Sequence, residues 1–262
     1  MTVHGGITSG GTKYDPQLLI ARGQITGFTN IDKFGRNDDI DTATAPEDIW
    51  GGGGMYTGFP TGSAETLEIF SSSVNDDLVG TGARTVKVTN LLDGTGASVA
   101  DVEVDLDGTT AVSLGAGTYY RASRIVVIDA GSTGSNEGTL TLRHTTTTAN
   151  IFAQVPIGHN QTSIMCSTVP LGQTLYIHRM YVSMARASGA AGSAKVGFLV
   201  RPNGEVFQTK RVPDVTNSQP YAFIADGYIA IPARADYKWH CFSVSDNNSV
   251  ISAEIDGILI DD

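Results

Sequence analysis

The residues best spaced for metal chemistry are Asp101, Glu103, Asp105 and Asp107, followed at once by Gly108. Counted from Glu103, they set oxygen ligands at positions 1, 3 and 5 and glycine at position 6, the opening of a calcium-binding EF-hand loop. Position 12 of such a loop needs a bidentate glutamate, and Leu114 stands there. The interleaved Val102 and Val104 describe instead a strand with a solvated acidic face that runs into an Asp-Gly turn. A second acidic cluster, Asp38, Asp39 and Asp41, reads as a polar turn, with calcium or a basic partner surface as the alternative. The histidines, His4, His144, His159, His178 and His240, form no His-x-x-x-His pair and join no cysteine cluster. Cys166 and Cys241 make no Cys-x-x-Cys and read as buried reduced thiols, a disulfide being the other reading.

Nucleophile and phosphate motifs fail too. Gly-x-Ser-x-Gly, the P-loop, His-Glu-x-x-His and Gly-x-Gly-x-x-Gly are all missing. The Gly-x-Gly triplets that do occur fall between strands, where they make hairpin turns. No catalytic residue, metal ligand or cofactor is therefore assigned, and the chain is expected not to be an enzyme.

Charge narrows the partners. The 262 residues carry 17 Lys+Arg against 27 Asp+Glu, a formal net charge of −10. An acidic chain lacks the basic face that displaces phosphate counterions, so no nucleic-acid partner is expected. An anionic membrane surface is disfavoured for the same reason. No apolar run approaches the ~18 residues of a membrane span, and the opening residues show no basic-then-apolar secretory signal. With 40% hydrophobic residues and 31 glycines in no collagen period, the chain can build real cores. The acidity concentrates in residues 61–148, with 5 basic against 11 acidic side chains, which marks three regions of different surface.

The elements follow from periodicity. Residues 1–60 read as an extended N-terminal arm whose one short helix lies around Asp15–Gly23, with Asp15 as cap, Pro16 in the first turn and Gly23 as terminator. The glycines 51–54 read as a hinge or a tight fit against another surface. The arm also carries Phe34, Ile40, Ile49, Trp50 and Tyr56, apolar groups that must pack on the chain's own body or on another subunit. The docking reading takes these five as interface anchors. Residues 61–145 show short alternating strands with Gly-rich or Asp-Gly separators, the pattern of an antiparallel β-sandwich. The run Thr145–Thr148 reads as a junction, and residues 149–262 carry longer strands that suit a second sandwich of jelly-roll type, a plain Greek-key sandwich fitting as well. In Gln173–Arg186, strict alternation sets Leu175, Ile177 and Tyr181 on one face and Tyr176, Met180, Val182 and Met184 on the other. A strand apolar on both faces implies that one face is covered by a neighbouring subunit or by the other sandwich, and a homotrimer is expected. The fold class is all-β.

The segment Lys33-Phe-Gly-Arg-Asn-Asp-Asp-Ile-Asp-Thr42, then Glu47-Asp-Ile-Trp50, glycines 51–54 and Tyr56, resembles the N-terminal stretch of virion structural proteins of tailed bacteriophages. In that group it precedes a β-rich body with a Gly-Thr-Gly-Ala-Arg-Thr-Val segment, matched here by Gly80 to Val86. The resemblance spans residues 30–145. It implies a non-catalytic virion component, a capsid decoration (cement) protein first and a neck, tail or fibre component with a receptor- or carbohydrate-binding C-terminal domain second, and the missing secretory signal fits assembly in a host cytoplasm. Its implied partners are the major capsid protein or other virion proteins. A carbohydrate-binding module is the reading from another class.

Overall fold

The structure, a computed structural model, describes residues 7–9, 12–186 and 192–262. In chain order the first strands are β1 (Ile7–Ser9), β2 (Thr12–Tyr14), β3 (Phe28–Ile40), β4 (Glu47–Asp48), β5 (Leu67–Ser71), β6 (Ala83–Thr89) and β7 (Val102–Asp105). Then come β8 (Val112–Ser113), β9 (Arg124–Ala130), β10 (Leu140–His144), β11 (Ile151–Val155), β12 (Cys166–Thr168) and β13 (Gln173–Arg186). The last are β14 (Ser193–Arg201), β15 (Gln208–Arg211), β16 (Asp214–Thr216), β17 (Tyr221–Ile231), β18 (Asp236–Val244) and β19 (Ser249–Asp261). Among the described residues one helix, α1 (Pro16–Ala21), interrupts them, with the Asp15 side chain accepting from the Gln17 N–H as the expected N-cap. The chain is all-β, and its strand pairs are antiparallel.

Alternation puts Leu67 and Ile69 of β5, and Val86 and Val88 of β6, on inward faces. The sheet β11-β10-β5-β8 faces the sheet β7-β6-β9 across one core built from those residues with Leu140, Leu142, Phe152 and Ile125. The hairpin β10–β11 belongs to this unit, so the run Thr145–Thr148 is its turn and not a junction between units. The first unit therefore continues to Val155.

A second core lies between the sheet β12-β18-β14-β15, flanked by β16 and β4, and the sheet β17-β13-β19-β3. Here β12, β13 and β14 alternate between the two sheets, as do β17, β18 and β19, a crossed connectivity rather than a meander. Residues 28–48 do not form an arm. Strand β3 pairs with β19 from Phe28 to Ile40, and β4 pairs with β18 through Glu47 and Asp48. Edge pairing of this kind satisfies backbone groups that a free arm would leave to water. Residues 1–6 and 10–11 of the expected arm, including His4, lie outside the described residues.

Strand β13 also departs from strict alternation. Ile177 pairs with Gly257 and Arg179 with Asp256, so His178 is the extra residue of a β-bulge. The bulge shifts the phase by one, and Leu175, Ile177, Met180, Val182 and Met184 all face the core. Tyr176, His178, Tyr181 and Ser183 are half-buried on the other face, so the strand is apolar on one side only. The expected second apolar face, and with it the need for a neighbouring subunit to cover it, is absent from this strand.

Gly35 shows how tightly β3 is seated. A Cβ there would stand 2.7 Å from the Ile49 carbonyl oxygen and closer still to the Met165 backbone nitrogen. Only glycine lets these backbones meet, so Gly35→Ala should cost about 2–3 kcal/mol. Urea unfolding checks this: the midpoint should fall with an unchanged slope.

Candidate functional site

The five expected anchors lie in or on the chain's own body. Ile40 and Ile49 are fully buried in the second core. Trp50 and Tyr56 are buried with Ile164 and Cys166 in a small third cluster between the two units. Phe34 is half-buried beside Tyr181, His159 and Glu254. A docking role for this set is corrected, because four of the five side chains have no surface left to offer. The glycines 51–54 form a tight turn and not a hinge. Trp50 donates its Nε1–H to the Gly54 carbonyl at 3.1 Å, and the Gly54 N–H donates to the buried Glu47 carboxylate at 2.7 Å. A side chain at Gly52 would run into the Trp50 ring.

Two buried carboxylates organise this junction. Asp48 accepts from Lys238 Nζ at 2.7 Å, His240 Nδ1 at 2.7 Å and the Tyr56 N–H at 2.9 Å. Burial alone pushes its carboxyl up. The hydrogen bond from His240 and the charge and hydrogen bond of Lys238 outweigh that and hold it below the ordinary aspartate value. Asp236 lies between two arginines, accepting from Arg121 Nε at 3.0 Å and Nη2 at 3.1 Å and from Arg201 Nε at 2.9 Å. Thr168 donates to the same carboxylate. Arg121 Nη1 also donates to the Pro60 and Tyr120 carbonyls, and Arg201 Nη2 donates to the Phe59 carbonyl. The second arginine leaves an excess positive charge, which lies against aromatic faces: Arg121 is 3.7 Å from the Tyr120 centroid and Arg201 4.8 Å from Phe207. Arg121 belongs to the first unit, and Thr168, Arg201 and Asp236 to the second, so this network joins them.

Neither centre has the makings of a nucleophile site. Cys166, beside Asp48 and Lys238, is fully buried, and desolvation pushes its thiol well above the usual range. Cys241 is likewise buried and free, with its thiol pushed up to about 12 by burial. The acidic run Asp101–Asp107 forms an exposed face, with Glu103 paired to Lys87 at 2.9 Å and Asp105 accepting from Thr85 Oγ1 at 2.8 Å. Among the described residues no group of three or more His, Cys, Asp or Glu side chains is placed to hold a metal.

Sequence reasoning missed the concave site at the junction. A cavity of about 230 Å³ opens between the units, with Lys33 of β3, Arg124 of β9, Ser98, Ser167 and Leu92 on its wall. Lys33 is nine-tenths buried, and its ammonium donates to Ser123 Oγ at 3.5 Å. Desolvation by burial, with the Arg124 charge as a smaller contribution, lowers its pKa to about 8. The available signal was a lysine at an inward position of β3, two residues before the close-packed Gly35.

No protein-family model matches the chain, and no curated protein matches it. Among solved structures, a chain from the structure of infectious bursal disease virus, Gt strain, is 9% identical, with 90% of this chain and 73% of that chain covered. Its TM-score is 0.23, a likeness that carries no functional argument.

The junction makes two predictions. Arg121→Ala leaves Asp236 paired with Arg201 but removes the Arg121 hydrogen bonds to it and to the Pro60 and Tyr120 carbonyls, and should destabilise by about 1.5–3 kcal/mol, read by chemical denaturation. Lys33→Met should do the reverse, raising stability at pH 7 by as much as about 3 kcal/mol. The sign follows from linkage. Below pH 8 the lysine is protonated both folded and unfolded, and the full cost of burying its charge is present. Between 8 and 10.5 the folded chain releases a proton that the unfolded chain keeps, so the advantage of the variant shrinks as pH rises and is gone above 10.5. Unfolding free energies of both proteins across that range check it.

Proposed function

We propose that this chain is a structural virion protein of a tailed bacteriophage, a capsid decoration protein that stabilises the head shell. The observation that carries the reading is the place of the segment that resembles such proteins. Residues 33–56 supply the edge strand β3, the pairing strand β4, the buried Asp48 and the Trp50–Tyr56 cluster that fasten the two β units together. The resembling residues therefore serve rigidity, and a rigid acidic body suits a part that must bear load in a symmetric shell. Its partners are the major capsid protein and further copies of itself, with the trimer as the assembly that fits local three-fold positions.

Attachment then uses the exposed surface rather than the former anchors. Copy number separates the decoration reading from a neck, tail or fibre component. Quantitative peptide mass spectrometry of purified virions should give hundreds of copies per particle, and light scattering should give three times the 27.5 kDa chain mass. A few to a few dozen copies would overturn decoration in favour of a neck or tail place. Absence from the virion would end the structural reading altogether.

A further inference from the structure

We propose that the cavity between the two β units is a binding site for a small organic carboxylate, held between Lys33 and Arg124. The first ground is charge. Among the described residues Lys33 carries only the 3.5 Å hydrogen bond to Ser123 Oγ, and Arg124 carries a 2.9 Å hydrogen bond from Nη2 to the neutral Gln161 Oε1. Neither forms an ion pair with a carboxylate among the described residues, although acids outnumber bases 27 to 17 in this chain. The other buried cations of the junction are paired: Lys238 with Asp48, and Arg121 and Arg201 with Asp236. Two unneutralised cations on one cavity wall are a costly arrangement that an entering anion relieves.

The second ground is the rest of the wall. Ser98 and Ser167 supply hydroxyl donors. Asp32 is the one carboxylate on the wall among the described residues, and it is exposed and shared with the groove on the other face of its sheet. Leu92, Val169 and Leu259 supply an apolar side that a bare inorganic anion would leave unused. At about 230 Å³ the space is smaller than that of a drug-sized ligand, for which pockets begin near ~300 Å³, and it suits a carboxylate head with a short hydrocarbon stem. Because both β units contribute, Arg124 from the first and Lys33 from the second, an occupant would bind only when the two are docked.

The test uses the full chain and three sodium salts at equal ionic strength, butyrate, phosphate and chloride, read by calorimetric titration and by the thermal unfolding midpoint. Butyrate should saturate and raise the midpoint. Lys33→Met and Arg124→Gln should each weaken butyrate binding by about tenfold or more, as expected for loss of a hydrogen bond to a charged group. Lys33→Met is expected to be at least as stable as the parent without ligand, so its loss of binding would not reflect unfolding. Failure of butyrate to saturate, or equal binding by parent and variants, would overturn the site. Tighter binding of phosphate than of butyrate would overturn the carboxylate assignment and leave a stemless oxyanion site.

Discussion

A carboxylate removed from water must be neutralised in place, and Asp236 meets that demand with cations from both sides of a junction. Arg121 reaches it from the loop before β9, and Arg201 from the end of β14. The geometry leaves little freedom, because the same guanidinium groups also hold the Pro60, Tyr120 and Phe59 carbonyls. A charge network of this kind need not add net stability over an apolar replacement. It does make the wrong arrangement expensive, since any slip between the units would strand a buried charge. The orientation of one β unit on the other is therefore set by electrostatics, while each unit is held by its own apolar core.

The connection also passes through backbone. Residues 156–165, between β11 and β12, run along both units. The Thr162 N–H donates to the Ile125 carbonyl of the first unit, and the Ile164 and Met165 N–H groups donate to Phe34 and Ile49 of the second. The Tyr56 hydroxyl donates across to the Phe152 carbonyl at 2.8 Å. What composition marks as a glycine-rich arm is the clasp of the molecule. Glycine serves there because backbones and rings approach too closely for a side chain, as at Gly35 and Gly52.

The sequence was legible where alternation carried an apolar face. Strands such as Ala83–Thr89, Leu140–His144 and Ser249–Asp261 announce themselves by valines, leucines and isoleucines two apart, and the Asp15–Pro16 helix start by its cap. Strand β3 gave no such signal. Its inward residues over the stretch that meets the junction are Lys33, Gly35 and Asn37, because that stretch faces an ionic and close-packed surface rather than a core. The bulge at His178 was hidden for a related reason. Nothing in Tyr-Ile-His-Arg-Met distinguishes a two-residue period from one that skips a beat, and only pairing with Gly257 and Asp256 fixes it. The cavity was illegible because its two cations lie 91 positions apart in the chain and belong to different units.

Burial of the aromatic clasp changes where partners can attach. A flexible arm could bind by ordering itself on a shell, at a cost in conformational entropy. With those anchors spent within the body, the described residues offer a partner surface that is preformed, its ordering cost met during folding. Candidates for such surface are the apolar side chains left in water on loops. Val74, Leu78 and Val79 protrude from the loop between β5 and β6. The base of that loop is fixed by the buried Asp76 carboxylate, which accepts from the Ser71 hydroxyl and from the Ala83, Glu137 and Gly138 N–H groups. One carboxylate accepting four donors holds the loop without any core of its own, so exposed apolar groups there keep a defined position instead of collapsing onto the body. Rigidity at the junction and rigidity at this tip come from the same device, a buried aspartate saturated with donors.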